Sequence, residues 1–527
     1  MGALSRLTFK TPPPKPEAVR IKTPVRSAFR LIQWGWVLAR HDALIPREAN
    51  HLLPPWGRPF ASLVQAFASG KLKAGRPGQR VGAACEQLGP VAIKLGQVLA
   101  TRADIFGLQF AQDLGHLKDK LPPFPVEEAR REIERSIGRP VDSLYSEFGP
   151  AVGAASLAQA HPARLADGRK VAVKVLRPGV ERKVSQGLDA MRLGAKMVDW
   201  AVAPARRLEP RAFVEIIARS LQLELDMRLE AAAASELGEV MAKDAYMVAP
   251  AVIWDGVGKR TLALEWAEGL PMTSPVMAEL SVTERNLLAD KVVRAFLVQA
   301  LDHGVFHADL HEGNLFAHGA EKVTAIDFGI VGRLGPAERR YLAEILWGFI
   351  SRDYDRISRV HFEAGYVPPH HSVETFAQAL RAVGEPVIGR AASQVSMGRL
   401  LGQLFEITAL FDMHLRPELV LLQKTMVSVE GVARRLNPDH DLWEAAKPIV
   451  ERWIRRELGV QAQAKEILEE ARDTLRALSQ LAQNPPQNQT LIVQKPHTPT
   501  WVVAAVTASA CAAAAALILS LWPLIGG

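Results

Sequence analysis

The sequence is poor in cysteine, with only Cys85 and Cys511 among 527 residues. Two cysteines so far apart supply neither a disulfide framework nor the spacing of a zinc site, so a reducing compartment is expected. The first fifteen residues contain no apolar run, and no secretory signal is therefore predicted. No block of Lys and Arg with interleaved aromatic residues occurs, which argues against nucleic acid as a partner.

Charge and composition limit the class of protein. The formal net charge of +8 favours anionic partners such as nucleotides or acidic lipid headgroups. Hydrophobic residues make up 48% and charged residues 23%, which is typical of globular chains rather than disordered ones. A chain of 527 residues has room for a two-lobed enzyme and a helical extension.

The segment 501–525 has no charged side chain, and it is long enough to span a bilayer as a helix. Trp501 and Trp522 lie near its two ends, where interfacial anchors occur. This pattern predicts a transmembrane helix after a Pro-bearing linker at 483–500, with a buried Ala-rich helix as the alternative. Lys495 precedes the segment, which favours a cytoplasmic catalytic region at the inner membrane.

Periodicity predicts an α+β fold. Helices are predicted at 80–102, 126–137, 211–239 and 283–303, and almost throughout 336–482. Strands are predicted at 171–176, 246–254 and 260–266. An Arg- and Trp-bearing helix at 24–46 either lies on an anionic membrane or packs with a solvated basic face. The predicted order is a basic segment at 1–45, a helical extension at 46–145, one lobe at 146–268, a helical lobe at 269–482, the linker and the membrane helix.

The strongest chemical signal is FHADLHEGNLF at 306–316, followed by AIDFGIV at 325–331. Asp309 and Asn314 have the D-x-x-x-x-N spacing of a kinase catalytic loop, and Asp327 begins a D-F-G motif. Asp309 is predicted to act as the general base or to position water, and Asn314 and Asp327 are predicted to bind Mg²⁺. An alternative is a metal site formed by His307, Asp309 and His311 on alternate positions of a strand, which leaves the D-F-G motif unexplained.

Upstream, VAVKV places Lys174 on a strand, where a lysine holds the phosphates of ATP if a glutamate such as Glu230 orients it. The loop before this strand has alanines where kinases carry glycines, so it is stiffer. The predicted nucleotide-binding residues are Gly153, Ala154, Ala155, Ser156, Leu157, Ala158, Lys174 and Glu265. No Ser or Thr lies between Gly329 and Arg340, so no phosphorylated activation loop is predicted.

Over residues 80–335 the chain resembles the UbiB/AarF family of atypical kinase-like proteins, which is linked to ubiquinone biosynthesis. Four features carry the resemblance: the K-x-G-Q motif from Lys94 to Gln97, the Ala-rich loop AASLAQAH, the E-x-D motif of Glu224 and Asp226, and FHADLHEGN. The resemblance implies that Glu224 pairs with Lys94 and that the K-x-G-Q helix lies over the substrate pocket. Lys94, Gln97, Glu224 and Asp226 are thus expected to be regulatory.

The predicted activity is that of an atypical kinase-like ATPase or protein kinase with ATP and Mg²⁺ as cofactors. The resemblance implies support of ubiquinone biosynthesis at the membrane, with anionic lipid, quinone-like lipids and quinone-synthesising enzymes as partners. One alternative is a small-molecule phosphotransferase of the aminoglycoside- or choline-kinase kind. Another is a nucleotide-binding pseudokinase scaffold. The sequence indicates neither the phosphoryl acceptor nor the oligomeric state.

Overall fold

A computed structural model describes residues 24–52, 58–70, 74–100, 108–115, 117, 122–201, 210–244, 246–385, 407, 410–413 and 417–458. All the elements given below fall in one compact unit, Met1–Glu457. The prediction of a linker at 483–500 and a membrane helix at 501–525 lies outside the described residues. Within the described ranges, no helix combines the length and apolar character needed to cross a membrane.

The N-terminal part is helical. Its elements are α1 (Pro24–Arg40), a 3₁₀ turn (Arg47–Leu52), α2 (Arg58–Ala66), α3 (Pro77–Leu88), α4 (Pro90–Ala100), α5 (Leu108–Gly115), α6 (Val126–Ile137) and a 3₁₀ turn (Val141–Ser143). The helix predicted at 80–102 is two helices. Gly89 adopts φ 91°, which favours glycine, and Pro90 then begins α4, where its missing N–H costs nothing.

The first lobe is built on an antiparallel sheet. Its strands are β1 (Tyr145–Phe148), β2 (Gly153–Ala154), β3 (Ala158–Leu165), β4 (Lys170–Leu176) and β5 (Thr261–Glu265), in the order β1-β3-β4-β5 with β2 also paired to β3. Val171, Val173 and Val175 of β4 are buried in one core with Ile133 of α6. Because side chains alternate along a strand, Lys174 faces the other side of the sheet.

The strand predicted at 246–254 does not form as a continuous strand. Only isolated bridges occur, at Val248 and Val252, before a 3₁₀ turn at Trp254–Gly256. Pro250 lies between the two bridges and has no N–H to donate to a ladder.

The single helix predicted at 211–239 is also wrong. The helices after β4 are α7 (Val180–Ala201), α8 (Pro210–Glu224) and α9 (Met227–Met241). Between α8 and α9, Asp226 has extended backbone (φ −121°, ψ 94°), and its carboxylate accepts a hydrogen bond from Arg228 N at 3.2 Å. Asp226 is therefore the N-cap of α9, and the two acids of the E-x-D motif lie on either side of a helix break.

The second lobe is mainly helical. Its elements are β6 (Leu270–Pro271), a 3₁₀ turn (Pro275–Glu279), α10 (Val282–Val298), a π-helical turn (Gln299–His303), β7 (Val305–His307), a 3₁₀ turn (Glu312–Asn314), β8 (Leu315–His318), β9 (Lys322–Ala325), β10 (Val331–Arg333), α11 (Pro336–Ser351), α12 (Tyr354–Glu363), α13 (Val373–Gly384), α14 (Pro417–Leu436) and α15 (Leu442–Glu457). Strand β7 pairs with β10, and β8 lies between β6 and β9. Helices α14 and α15 pack against α10.

Candidate active site

Three charged side chains meet between the two lobes. Lys174 Nζ of β4 lies 2.7 Å from Glu230 Oε1 of α9 and 3.1 Å from Asp327 Oδ1, which follows β9. The side chain of Glu230 is 10% exposed, whereas that of Asp327 is 47% exposed. One ammonium thus bridges a buried carboxylate and one that is open to solvent.

The pKa values of these three groups are shifted in different directions from their ordinary values. Burial lowers the pKa of Lys174, but the nearby Asp327 and Glu230 carboxylates outweigh this and raise it, so the lysine is charged. Burial raises the pKa of Glu230 to about 7, against the opposing effect of Lys174. The Lys174 ammonium holds the pKa of Asp327 below its ordinary range. Asp327 is therefore the member of the cluster that is both ionised and open to solvent.

The backbone of the D-F-G motif is fixed in an uncommon conformation. Asp327 has φ 65°, in the left-handed region that non-glycine residues rarely adopt. Phe328 is fully buried, and its ring lies 5.4 Å from the ring of His307. Such conformations persist where the surroundings over-determine them, which is common at functional sites.

The catalytic loop and the D-F-G segment are joined by backbone bonds. Ile326 N donates to Asn314 O at 2.9 Å, and Ala308 N donates to Ile330 O at 3.1 Å. Asn314 Nδ2 donates to Asp309 O at 3.1 Å and lies 3.4 Å from Asp309 Oδ2. Within the described residues no protein hydrogen bond is found for Asn314 Oδ1, so this oxygen could serve as a metal ligand.

His307 orients the loop and does not ligate metal. Its Nδ1 accepts a hydrogen bond from Asp309 N at 3.1 Å, so the ring proton resides on Nε2, which faces Ile326 O at 3.2 Å. Burial lowers the pKa of His307, which keeps it neutral. Both nitrogens are occupied, and the alternative metal site of His307, Asp309 and His311 is therefore wrong.

The Ala-rich loop is held by a hydrogen bond from an arginine that follows β4. Arg177 Nε donates to Ala155 O at 2.8 Å, which pins the loop between β2 and β3. Gly153 is exposed and Ala154 and Ala155 are partly exposed, whereas the remaining predicted loop residues, Ser156, Leu157 and Ala158, are buried. Of this loop, only residues 153–155 are therefore accessible to a nucleotide.

The side chain of Glu265 points away from the lysine cluster. Glu265 stands opposite Val171 in the β4–β5 register, and residues opposite each other share a sheet face. That face is the core side rather than the side of Lys174. The carboxylate instead lies 3.4 Å from Arg169 Nη1 at the edge of the lobe. The assignment of this side chain to nucleotide binding is corrected accordingly.

The K-x-G-Q helix α4 is tied to the end of α8. Lys94 Nζ forms an ion pair with Glu224 Oε1, and both side chains are largely buried. Gly96 allows the close packing of α4, because a Cβ there would lie 2.3 Å from Leu117 Cδ1. Gln97 is partly exposed on the same helix. Asp226 does not join this contact, since its carboxylate pairs with Arg228 at 2.6 Å.

Comparisons with known proteins agree with this geometry. Residues 116–361 match the family model described as ABC1 atypical kinase-like domain, and residues 380–441 match the UbiB helical domain. A protein from Marinobacter nauticus named "Probable protein kinase UbiB" is 39% identical over 82% of this chain and 79% of its own length. The chain belongs to the UbiB family.

Other members of the UbiB family are similarly close. Proteins of the same name from Tolumonas auensis and Pseudomonas putida are 36% and 39% identical, over 83% and 78% of this chain and 81% and 79% of their own lengths. The solved Rv3197–erythromycin complex from Mycobacterium tuberculosis is 24% identical, with a TM-score of 0.48, over 69% of this chain and 93% of that chain. The family models and the named relatives confirm the predicted family, and the match to the ABC1 domain gives a kinase-like fold.

The UbiB helical domain contributes a residue that sequence reasoning missed. Lys424 of α14 places Nζ 3.0 Å from Asp309 Oδ1, across 115 residues of chain. No motif surrounds this lysine in LLQKTMVSV, which resembles any amphipathic helix. Its proximity to the catalytic loop depends on the packing of α14 against α10, which sequence periodicity does not reveal.

Proposed function

We propose that this chain uses Mg²⁺ and ATP for phosphoryl transfer, either to water or to an acceptor hydroxyl, in support of ubiquinone biosynthesis. The observation that carries the proposal is the Lys174–Glu230–Asp327 cluster, which lies beside the loop of Asp309 and Asn314. Kinase-like phosphoryl transfer depends on these parts in this order along the chain. The quinone connection rests on family membership alone.

Each residue has a role that its contacts support. Glu230 orients Lys174, whose ammonium binds the α- and β-phosphates once nucleotide enters. Asp309 accepts a proton from, or orients, the attacking hydroxyl. The first half of the Ala-rich loop covers the phosphates through its backbone.

The donor set fits Mg²⁺. Asp327 offers carboxylate oxygens to solvent and keeps a low pKa, and Asn314 Oδ1 is available on the facing loop. Hard oxygen ligands of this kind suit Mg²⁺, which is commonly held by one or two protein oxygens together with phosphates and water. When bound, the ion would neutralise charge that develops on the transferred phosphoryl group.

Lipid is the partner that the surface supports best. The apolar residues Phe29, Ile32 and Trp36 of α1 are 75%, 70% and 51% exposed and follow helical spacing. The Trp36 ring lies 5.3 Å from that of Phe67, which extends the patch beyond α2. An exposed apolar patch on a chain of net charge +8 suits the surface of an anionic membrane. This patch supports the proposal that the protein works at a membrane surface, which family resemblance suggests is the cytoplasmic face of the inner membrane.

ATP turnover tests the proposal directly. Full-length protein is assayed with Mg²⁺, with and without anionic or neutral vesicles, beside Asp327→Asn. We expect turnover that requires Asp327 and rises with anionic vesicles. The rise should weaken in Trp36→Ser but persist in Trp254→Ser, a control tryptophan that is 56% exposed in the first lobe. Nucleotide binding without Asp327-dependent turnover would instead favour a scaffold, and stoichiometric transfer to a small alcohol would favour a small-molecule kinase.

A further inference from the structure

Helix α14 contacts the catalytic loop at the general base itself. Lys424 Nζ lies 3.0 Å from Asp309 Oδ1, and the two side chains are 39% and 26% exposed. Thr425, the residue after Lys424, places Oγ1 3.1 Å from the carbonyl oxygen of Ala308, the residue before Asp309, and 2.8 Å from Leu421 O of its own helix. Thr425 is fully buried. Adjacent residues of the helix therefore hold adjacent residues of the loop.

The same face of α14 makes a second ionic contact with this loop. Arg435 forms an ion pair with Glu312 of the 3₁₀ turn that follows Asp309. Lys424 and Arg435 are separated by close to three helical turns, so they project from the same side of α14. Helix α14 therefore contacts the loop through two ion pairs and one buried polar contact. The Lys424–Asp309 pair is part of this larger interface.

The contacts of the Asp309 carboxylate indicate which neighbour orients it. Oδ2 lies 3.4 Å from Asn314 Nδ2 and 3.6 Å from His311 Nε2, whereas Oδ1 is bonded to Lys424. The distances on the Oδ2 side are long for hydrogen bonds, and the bond on the Oδ1 side is the short one. The direction in which the carboxylate presents its free lone pairs is thus set mainly by Lys424.

We infer that Lys424 is a positioning residue for phosphoryl transfer, which acts by orienting the Asp309 carboxylate toward the attacking hydroxyl. The inference rests on the proposed function, because it assigns Lys424 to the same reaction. It also gives the helical domain a direct part in the active site. Lys424 then stands to Asp309 as Lys174 stands to Asp327, with one ammonium beside each of the two carboxylates.

A lysine this close to a catalytic carboxylate has two other interpretations. An ion pair with partly exposed partners contributes little to stability, so the contact could be structurally neutral. It could also block Asp309 until a substrate displaces it, in which case removal of the lysine would accelerate turnover. The buried contact between Thr425 and Ala308 O sets the backbone of α14 beside the loop, and the sign of the change in kcat on removal of Lys424 distinguishes positioning from blocking.

The test compares steady-state ATP turnover of full-length Lys424→Met and Lys424→Arg with wild type, using Lys447→Met as a matched control. Lys447 is an exposed lysine of the neighbouring helix α15. For Lys424→Met we expect kcat to fall about 10- to 100-fold, as for a mispositioned catalytic group. The KM for ATP should stay within about twofold, because Lys424 contacts no residue of the Lys174 cluster. Lys424→Arg should recover most of kcat, and Lys447→Met should equal wild type.

Thermal unfolding of the same variants separates positioning from folding, since Lys424→Met should melt within a few degrees of wild type. Unchanged or increased kcat in Lys424→Met, beside wild-type turnover that requires Asp327, would overturn the inference and leave the proposed function intact. A rise in KM that accounts for the whole loss would also overturn it. Absence of Asp327-dependent turnover in wild type would overturn the proposed function, and the role of Lys424 with it.

Discussion

Replacement of Glu230 by Gln should stabilise the protein at neutral pH while it impairs catalysis. Burial raises the pKa of this carboxyl from 4.5 to about 7. An acid with a higher pKa in the folded state holds its proton in a pH range where the unfolded chain has released it. The stability of the wild-type protein therefore falls as pH rises from about 4.5 to 7, and Gln removes this loss.

The magnitude follows from the two pKa values. A difference of about 2.5 pH units, at about 1.4 kcal/mol each, corresponds to about 3 kcal/mol as an upper limit. Glu230→Gln should thus match wild type below pH 4.5 and exceed its free energy of unfolding by 1 to 3 kcal/mol, in order of magnitude, at pH 7. Turnover should fall about 10- to 100-fold, because Lys174 would lose its 2.7 Å partner and move toward Asp327.

Urea denaturation of wild type and variant at pH 4.5, 5.5, 6.5 and 7.5 measures this difference. Glu236→Gln is the matched control on the same helix, α9. Arg333 lowers the pKa of Glu236, with its Nη2 2.6 Å from Oε2, so this variant should be slightly less stable than wild type at pH 7. A Glu230→Gln protein that is less stable than wild type by the same amount at every pH would refute the reasoning, and would mean that Glu230 is ionised throughout.

Three further predictions concern the helical extension and the helix break. Gly96→Ala should lower the free energy of unfolding by about 1–3 kcal/mol in urea titrations, because its Cβ would clash with Leu117. Asp226→Ala should cost about 1 kcal/mol as a lost N-cap, with the KM for ATP unchanged. The effects of Lys94→Met and Glu224→Gln on turnover should be non-additive in a double-mutant cycle, since the two side chains form one ion pair; additive effects would show that the pair has no functional coupling.

The sequence predicts which residues meet at the site better than it predicts the helices and strands around them. The β-branched residues of KVAVKVL correctly indicate a strand that carries Lys174, and the structure adds that its side chain lies on the face opposite the core. The spacing of Asp309, Asn314 and Asp327 matches that of kinase catalytic parts along a short stretch, and the backbone bonds between their segments bring them together. These predictions succeed because each depends on local sequence.

The predictions that fail depend on distant contacts. LELDMRLEAA favours a continuous helix by propensity. The N–H of Met227, however, donates to Lys259 O at 3.0 Å and not to a carbonyl in the last turn of α8. Glu265 ends a strand, TLALE, that is largely buried on both faces, so no alternation reveals where its side chain points. Lys424 reaches Asp309 only because α14 packs on α10, which no local pattern encodes.

The break between α8 and α9 gives two acids separate partners in two parts of the molecule. In one continuous helix, Glu224 and Glu230 would be turned about 120° from each other with no freedom to adjust. The break lets Glu224 pair with Lys94 of the K-x-G-Q helix while Glu230 pairs with Lys174 of the sheet. Only six residues of chain and the capped start of α9 separate the two acids, so one short segment joins the K-x-G-Q helix to the lysine cluster of the sheet.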